Sequence, residues 1–390
     1  MIPLISQAFF NEQETKKKLA NFILNAKKLS MDSECEKFEN NFAEYQRRKH
    51  AILFNSGGSA NLALLQSLKN LERLKNKDLI GFSAITFATN VMPIIQLDMT
   101  PCIIDCSPAT INLMSENLTA RIKETKISAL FITNALGFAG DLNKIKEICE
   151  QNNIIFIEDN CESLGSEISG IKTGNFGLAS TFSFFVAHHL STIEGGMVCT
   201  DDEDLAQMLK IVRANGWDRN LEISQQKAIR SKYKIENEFE SKYTFYDLAY
   251  NLRPTEITGF LGNSQLKFLS QSIKIREKNY LEIEKEIKNN DDFLILNHEH
   301  LSLLSSFSIP IICKNEDLKE KYINRFQNAG VEIRPMISGN IQRQPFYKKY
   351  VKETYNLPGA EKIHNCGFYF GNNPDLTKND LDVIKACLAK

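Results

Sequence analysis

Short apolar runs of strand length recur along the first half of the chain, each separated from the next by residues with helical spacing. The runs are AILF (51–54), DLIGFSAI (78–85), TPCIIDC (100–106), SALFITNAL (128–136) and IIFIEDN (154–160). Among the intervening stretches are CEKFENNFAEYQRRK (35–49), SANLALLQSLKNL (59–71) and DLNKIKEICEQNN (141–153). Strands this uniformly apolar have no face to show to water, so both faces need cover, and helical crossovers supply it. The pattern predicts an α/β fold built on a mostly parallel sheet. Ligands of such sheets bind beyond the carboxyl ends of the strands, so the residues that follow each run carry the functional interest.

The alternation breaks at a polar stretch, Glu222 to Tyr243, which reads as an exposed excursion. Beyond Arg253-Pro254 comes a long helical pattern, Thr255 to Asn289. It is followed by SFSIPIIC (306–313) and VEIRP (331–335) as strands, with NEDLKEKYINRFQNAG (315–330) between them, and a last helix near Lys378 to Leu388. At 390 residues the chain exceeds what one core usually serves. The expected division is an N-terminal arm and large α/β domain over 1–254, then a smaller α+β domain over 255–390.

Composition narrows the partners. With 47 basic and 48 acidic residues the net charge is -1, which gives no electrostatic case for nucleic acid or an anionic membrane. No apolar run approaches the ~18 residues a bilayer span needs. The opening MIPLISQAFFNEQETKKK has no basic region ahead of its apolar stretch, so a signal peptide is not expected. Nine cysteines are scattered without framework or metal-ligand spacing, several inside apolar runs where a free thiol acts as a small hydrophobe. A reducing cytoplasm and no metal are the expectations.

Three strand ends carry polar groups. In FNSGGSANLALL (54–65) a strand, a Ser56-Gly57-Gly58-Ser59 turn and a helix put free backbone N–H groups and a positive helix end around a small concavity, suited to one phosphate. An ordinary strand–turn–helix junction has the same form, and dinucleotide or P-loop spacing is missing. In IIFIEDNCESLG (154–165) Glu158 and Asp159 follow four apolar residues, so at least one carboxylate is near-buried and needs a cation or strong donors, unless it caps a helix. The third is STFSFFVAHHLSTIEGGMVCT (180–200), a buried strand and a Gly-Gly turn with two adjacent histidines, His188 and His189, among only six in the chain. Histidine moves protons near neutral pH, although a lone buried one is more often a satisfied core residue.

In their order and spacing these pieces resemble the sugar aminotransferase family of fold-type I pyridoxal phosphate (PLP) enzymes, and within it the dehydratase branch. The turn is followed by the aromatic-bearing SAITFATN (83–90), by EDNCESLG (158–165), and by S-F-x-x-x ahead of the reactive position and EGG (194–196). RANGWDRNL (213–221), YNLRPTEITGFLGNSQL (250–266) and EIRPMISGN (332–340) extend the likeness over essentially the whole chain. Aminotransferases of the family read S-F-x-x-x-K. Here the residue five beyond Ser183 is His188, as in the dehydratase branch.

The resemblance implies an aspartate aminotransferase-like large domain and a noncovalently held cofactor, PLP or its amine form pyridoxamine phosphate (PMP), since imidazole cannot replace lysine in a stable Schiff base. It implies removal of the C3 hydroxyl of a nucleotide-linked, GDP-type 4-keto-6-deoxy sugar, with glutamate as amino donor and His188 as the base. Asp159 matches the partner of the pyridine nitrogen and Glu162 a group near the ring oxygen. Phe87 matches the stacking position, where the compared dehydratase has tryptophan. Gly57, Gly58, Ser59 and Ser183 match the phosphate cradle. Asn251 matches an asparagine that reaches the phosphate from the neighbouring subunit, which implies a homodimer with shared sites. Arg219, Asn220, Arg253, Arg334 and Asn340 are candidate nucleotide-sugar contacts, and His189 is the rival base with a supporting role.

Two other readings compete. A CDP-sugar 3-dehydrase of the same branch carries an iron–sulfur cluster, which needs four cysteines with a close C-x-C pair; no C-x-C occurs here, so no cluster is expected. A noncatalytic protein that only binds a nucleotide sugar would have no use for a pyridine-nitrogen partner such as Asp159.

Overall fold

A computed structural model describes residues 1–390. The large sheet is built from β1 (His50–Phe54), β2 (Leu79–Ser83), β3 (Thr100–Ile104), β4 (Ala129–Thr133) and β5 (Ile155–Asp159), with two later strands. After a two-stranded hairpin, β6 (Glu167–Ile168) and β7 (Ile171–Lys172), the chain adds β8 (Ala179–Ser183) and β9 (Gly196–Thr200). The order across the sheet is β1-β9-β8-β5-β4-β2-β3. The pairs among β2, β3, β4, β5 and β8 are all parallel, and every residue of β4 is buried, as strands covered on both faces must be.

One expectation is refined. The stretch 180–200 is two strands, because β8 ends at Ser183 and β9 begins at Gly196 and returns antiparallel to both β8 and β1. The loop Phe184–Gly195 between them carries both histidines. Gly196 is required where it stands: a side chain there would collide with the Ser56 carbonyl at the turn after β1.

The polar excursion folds into the helices Ile223–Lys232 and Glu238–Ser241, the first with no buried residue. The helix Glu256–Lys288 starts at Thr255, whose hydroxyl accepts from Thr258 N–H, and it packs on the helix Ser33–Gln46. The C-terminal part holds a three-stranded antiparallel sheet, β10 (Ser308–Ile312), β12 (Gly367–Gly371) and β11 (Ile333–Pro335), with β12 at its centre. Buried apolar side chains run without a break from the large sheet to this small one. No helix is long and apolar enough to cross a membrane.

Candidate active site

The helix Gly57–Asn70 opens on Ser56, whose Oγ accepts from Ser59 N–H at 3.1 Å. Its first turn sits against the end of β8. A methyl group on Gly57 would lie 2.7 Å from Ser183 Cβ and 3.3 Å from Cys161 Sγ, so glycine is the residue that lets three segments meet here. The Gly57 and Gly58 N–H groups, the Ser59 hydroxyl and the Ser183 hydroxyl thus gather at a positive helix end, an arrangement that fits a phosphate, while the Ser59 N–H is taken by the Ser56 cap.

At the end of β5 the two carboxylates divide their tasks. Glu158, fully buried, accepts from the backbone N–H groups of Gly174 (2.7 Å), Phe176 (2.8 Å) and Gly177 (3.0 Å) and from Asn134 Nδ2 (3.3 Å). It ties down the turn that leads into β8. Asp159 is also buried; its Oδ2 accepts from Asn90 Nδ2 (2.7 Å) and Asn61 Nδ2 (3.2 Å), and its Oδ1 from Cys161 N–H (2.8 Å). Neither caps a helix, which corrects that alternative. A carboxylate offers about four acceptor positions. Three are used on Asp159, leaving room for one more N–H donor such as a protonated pyridine nitrogen.

Glu162 follows in the same loop and accepts from Leu136 N–H at 3.0 Å. Burial, with the Asp159 charge adding to it, pushes its carboxyl up to about 7. Phe87, just before the helix Ala88–Gln96, is 58% exposed, an apolar ring with no protein neighbour to explain it. It stands available for stacking on an aromatic ligand.

The His188 ring packs against Phe307 at 5.2 Å and Phe185 at 6.4 Å between centroids. Burial first, then the positive charge of Arg276, holds its pKa down at about 4, against the opposing pull of the Cys161 carbonyl. It is therefore neutral at pH 7, the form that accepts a proton. The Cys161 carbonyl that acts on its ring puts His188 near the segment that follows Asp159. His189 is spoken for: its Nε2 bonds the Ser305 carbonyl at 3.0 Å, and its ring lies against Phe307.

The remaining sequence-chosen residues fall in two places. Arg334, on β11, is paired with Tyr369 of β12, a tyrosine whose hydroxyl feels the charges of both Glu162 and Arg334. Arg219, Arg253 and Asn251 are exposed and gather near Trp217, with the Arg219 guanidinium 4.0 Å and that of Arg253 5.5 Å from its ring centroid. Asn220 lies in the same turn, half-buried. Leu252 accepts from Asn55 N–H at 3.0 Å, so this segment adjoins the turn after β1. Asn340 departs from expectation. It is fully buried, its Nδ2 donates to Glu361 Oε1 (2.6 Å) and its Oδ1 accepts from Gln342 N–H (3.1 Å), so its amide serves the fold at both ends. Cys161, Asn61, Asn90 and Phe307 were not picked out from the sequence, although Cys161 lies inside EDNCESLG, Asn61 inside FNSGGSANLALL and Asn90 at the end of SAITFATN; Phe307 stood in no site motif.

A family model described as the DegT/DnrJ/EryC1/StrS aminotransferase family matches residues 11–389. The chain belongs to this family. It is 32% identical over 377 residues, 93% of each chain, to the GDP-4-keto-6-deoxy-D-mannose 3-dehydratase of Yersinia pseudotuberculosis. Among solved structures it is similar to a GDP-4-keto-6-deoxymannose-3-dehydratase with a trapped PLP-glutamate geminal diamine, at TM-score 0.91 and 29% identity with 100% of both chains covered. A histidine-to-asparagine mutant of such a dehydratase with bound GDP-perosamine gives TM-score 0.90 at 30% identity, again over 100% of both chains. The fold is that of fold-type I PLP enzymes.

Proposed function

We propose that this chain is a PLP/PMP-dependent dehydratase that removes the C3 hydroxyl of a GDP-linked 4-keto-6-deoxy sugar. The products are a 3-deoxy-4-keto sugar and ammonia, and glutamate restores the amine form of the cofactor. The observation that carries this reading is His188, an imidazole five residues beyond Ser183 in a site that keeps a buried carboxylate and a glycine turn. Bound there, the cofactor supplies the electron sink for the carbon that is deprotonated.

The chain's own residues do the rest. With no amine at position 188, a bound cofactor would be held by contacts alone: the Gly57 and Gly58 N–H groups and the Ser59 and Ser183 hydroxyls would serve its phosphate, Asp159 its ring nitrogen and Phe87 its face. Glu162, poised near neutrality, holds a proton beside the ring oxygen. His188 accepts the proton and, once charged, has the proton that a departing hydroxyl needs. A lysine would offer a competing covalent state and would favour amino transfer. Arg334, Arg219, Arg253 and Asn220 are assigned to the nucleotide sugar.

Asn251 is assigned to the phosphate of the opposite subunit in a homodimer. The exposure of Phe239 (79%), Tyr243 (73%), Leu248 (73%) and Phe245 (57%) near that segment supports a covered surface there. Nine unpaired cysteines, all but Cys161 buried, accord with a reducing cytoplasm. The deciding experiment incubates protein, PLP and glutamate with a panel of GDP- and CDP-linked 4-keto-6-deoxy sugars and follows product mass. Loss of the C3 hydroxyl from the GDP sugar supports the assignment. A 4-amino product, or turnover only with an external reductase, overturns it.

A further inference from the structure

A cavity borders the histidine loop without touching the phosphate turn. Its walls are the N-terminal segment Ile5–Asn11, the loop residues Val186–His189 and Ser191, one face of the helix Glu256–Lys288, and Asn373–Asp375. Both histidines line it, yet none of Gly57, Asp159, Glu162 or Phe87 does, so it is separate from the cofactor concavity. The N-terminal segment is a fixed wall: Phe10 N–H donates to Gln265 Oε1 at 2.9 Å, its ring stacks on Phe268 at 5.1 Å, and Leu4 N–H donates to Glu332 Oε2 at 2.7 Å.

The lining mixes apolar groups with Ser191, Gln265, Ser272, Arg276 and the two imidazoles. Three nitrogens on these residues are buried without a protein partner: Nδ1 of His188, Nδ1 of His189 and Nε of Arg276. Buried polar groups left without protein partners call for water, and a polar cavity with several such groups beside it is where water is held. His188 needs such access. While it holds a proton taken from one reactant and not yet delivered to the next, its other approach is covered by bound cofactor and sugar, so exchange of that proton with water needs a second route.

We propose that this cavity is the path by which His188 exchanges its proton with solvent. Arg276 and Ser272 are positioning residues, holding water beside the imidazole. The Arg276 guanidinium is itself fixed by donating to the Phe307 (2.9 Å) and Asn372 (2.6 Å) carbonyls. No atom is gained or lost in the step: a proton leaves the imidazolium for water, and another returns from water when needed. The proposal rests on His188 being the base.

Two plugs test it, Ser272→Met from the helix wall and Gln7→Trp from the N-terminal wall, so that a folding defect in one leaves the other to read. In protein loaded with PLP and the GDP-linked 4-keto-6-deoxy sugar, with no amino donor so that no turnover occurs and the other approach is covered, NMR of ¹⁵N-labelled histidine measures exchange of the His188 ring N–H with water; both plugs should slow it several-fold. In the PLP-loaded protein, a single turnover with glutamate deuterated at Cα should place little label on the cofactor methylene in wild type and several-fold more in the plugged variants. Unchanged exchange and unchanged label retention in both variants would overturn the path. His188→Asn discriminates the two layers: a dead His188→Asn with unaffected plugs sinks the path alone, whereas a fully active His188→Asn sinks the base assignment beneath it.

Discussion

Replacing Gly57 by alanine puts a carbon 2.7 Å from Ser183 Cβ and 3.0 Å from Ser183 Oγ. Carbon atoms in contact rest about 3.5–4.0 Å apart, so roughly 1 Å must be opened between the first helical turn and the end of β8. The hydroxyl can turn away about χ1, but the Cβ is bonded to the backbone at the end of β8 and cannot move without it. Overpacking of this kind costs about 1–3 kcal/mol. Because the displaced groups are the phosphate-binding ones, the cost should fall on PLP affinity, a loss of roughly 5- to 150-fold at 1.4 kcal/mol per tenfold. In the Gly57→Ala background Ser183→Gly should bind PLP more tightly than Ser183→Ala, because both lack the hydroxyl and only the glycine removes the clashing Cβ. Fluorescence titration of PLP into apoprotein, with urea midpoints measured alongside, reads both effects. Gly57→Ala that binds PLP as tightly as wild type refutes the close-approach reasoning.

Borohydride treatment of the PLP-loaded protein should leave no pyridoxyl group on any lysine, and dialysis should remove the cofactor; a reduced lysine adduct in the mass spectrum contradicts the noncovalent site. Glu162 keeps its proton in the folded apoprotein up to about pH 7, above its unfolded value, so its contribution to stability is full below about pH 4.5 and lost as pH rises through about 7. Between pH 5 and 8 the urea midpoint of Glu162→Gln should therefore gain on that of wild type, and a constant difference means the carboxyl titrates normally. Glu158→Leu, which strands three buried backbone N–H groups, should destabilise by several kcal/mol, about 1–3 for each orphaned donor. A variant as stable as wild type to urea contradicts that structural role.

The large sheet was legible because its strands announce themselves: each has a continuous apolar centre, such as ALFI at 129–132, and the glycine turn and paired carboxylates mark the ends that matter. The long helix was equally plain from its period, observed over Glu256–Lys288 against an expected 255–289. β12 went unread because GFYFG is five residues between a helix and a polar loop, and its place at the centre of the small sheet comes from non-local pairing with β10 and β11. The same limit applied to the site. Residue pattern alone did not divide the tasks of Glu158 and Asp159, which only the family resemblance separated, since the donors that claim Glu158 lie at 174–177. It could not see that Asn340 is consumed by Glu361, or that a distant Phe307 sits against both histidines.

Dehydration rates of wild type, His188→Asn and His189→Asn, taken at matched cofactor content with saturating glutamate and GDP-linked 4-keto-6-deoxy sugar, address the role of His188 most directly. If His188 is the base, His188→Asn binds cofactor normally and loses about 10²–10⁴-fold in rate, the scale of a missing general base. His188→Lys traps PLP covalently or diverts the reaction to amino transfer, and His189→Asn, which removes the bond to the Ser305 carbonyl and the ring against Phe307, loses far less. Dehydration that survives His188→Asn intact, or that depends on His189 instead, contradicts the assignment.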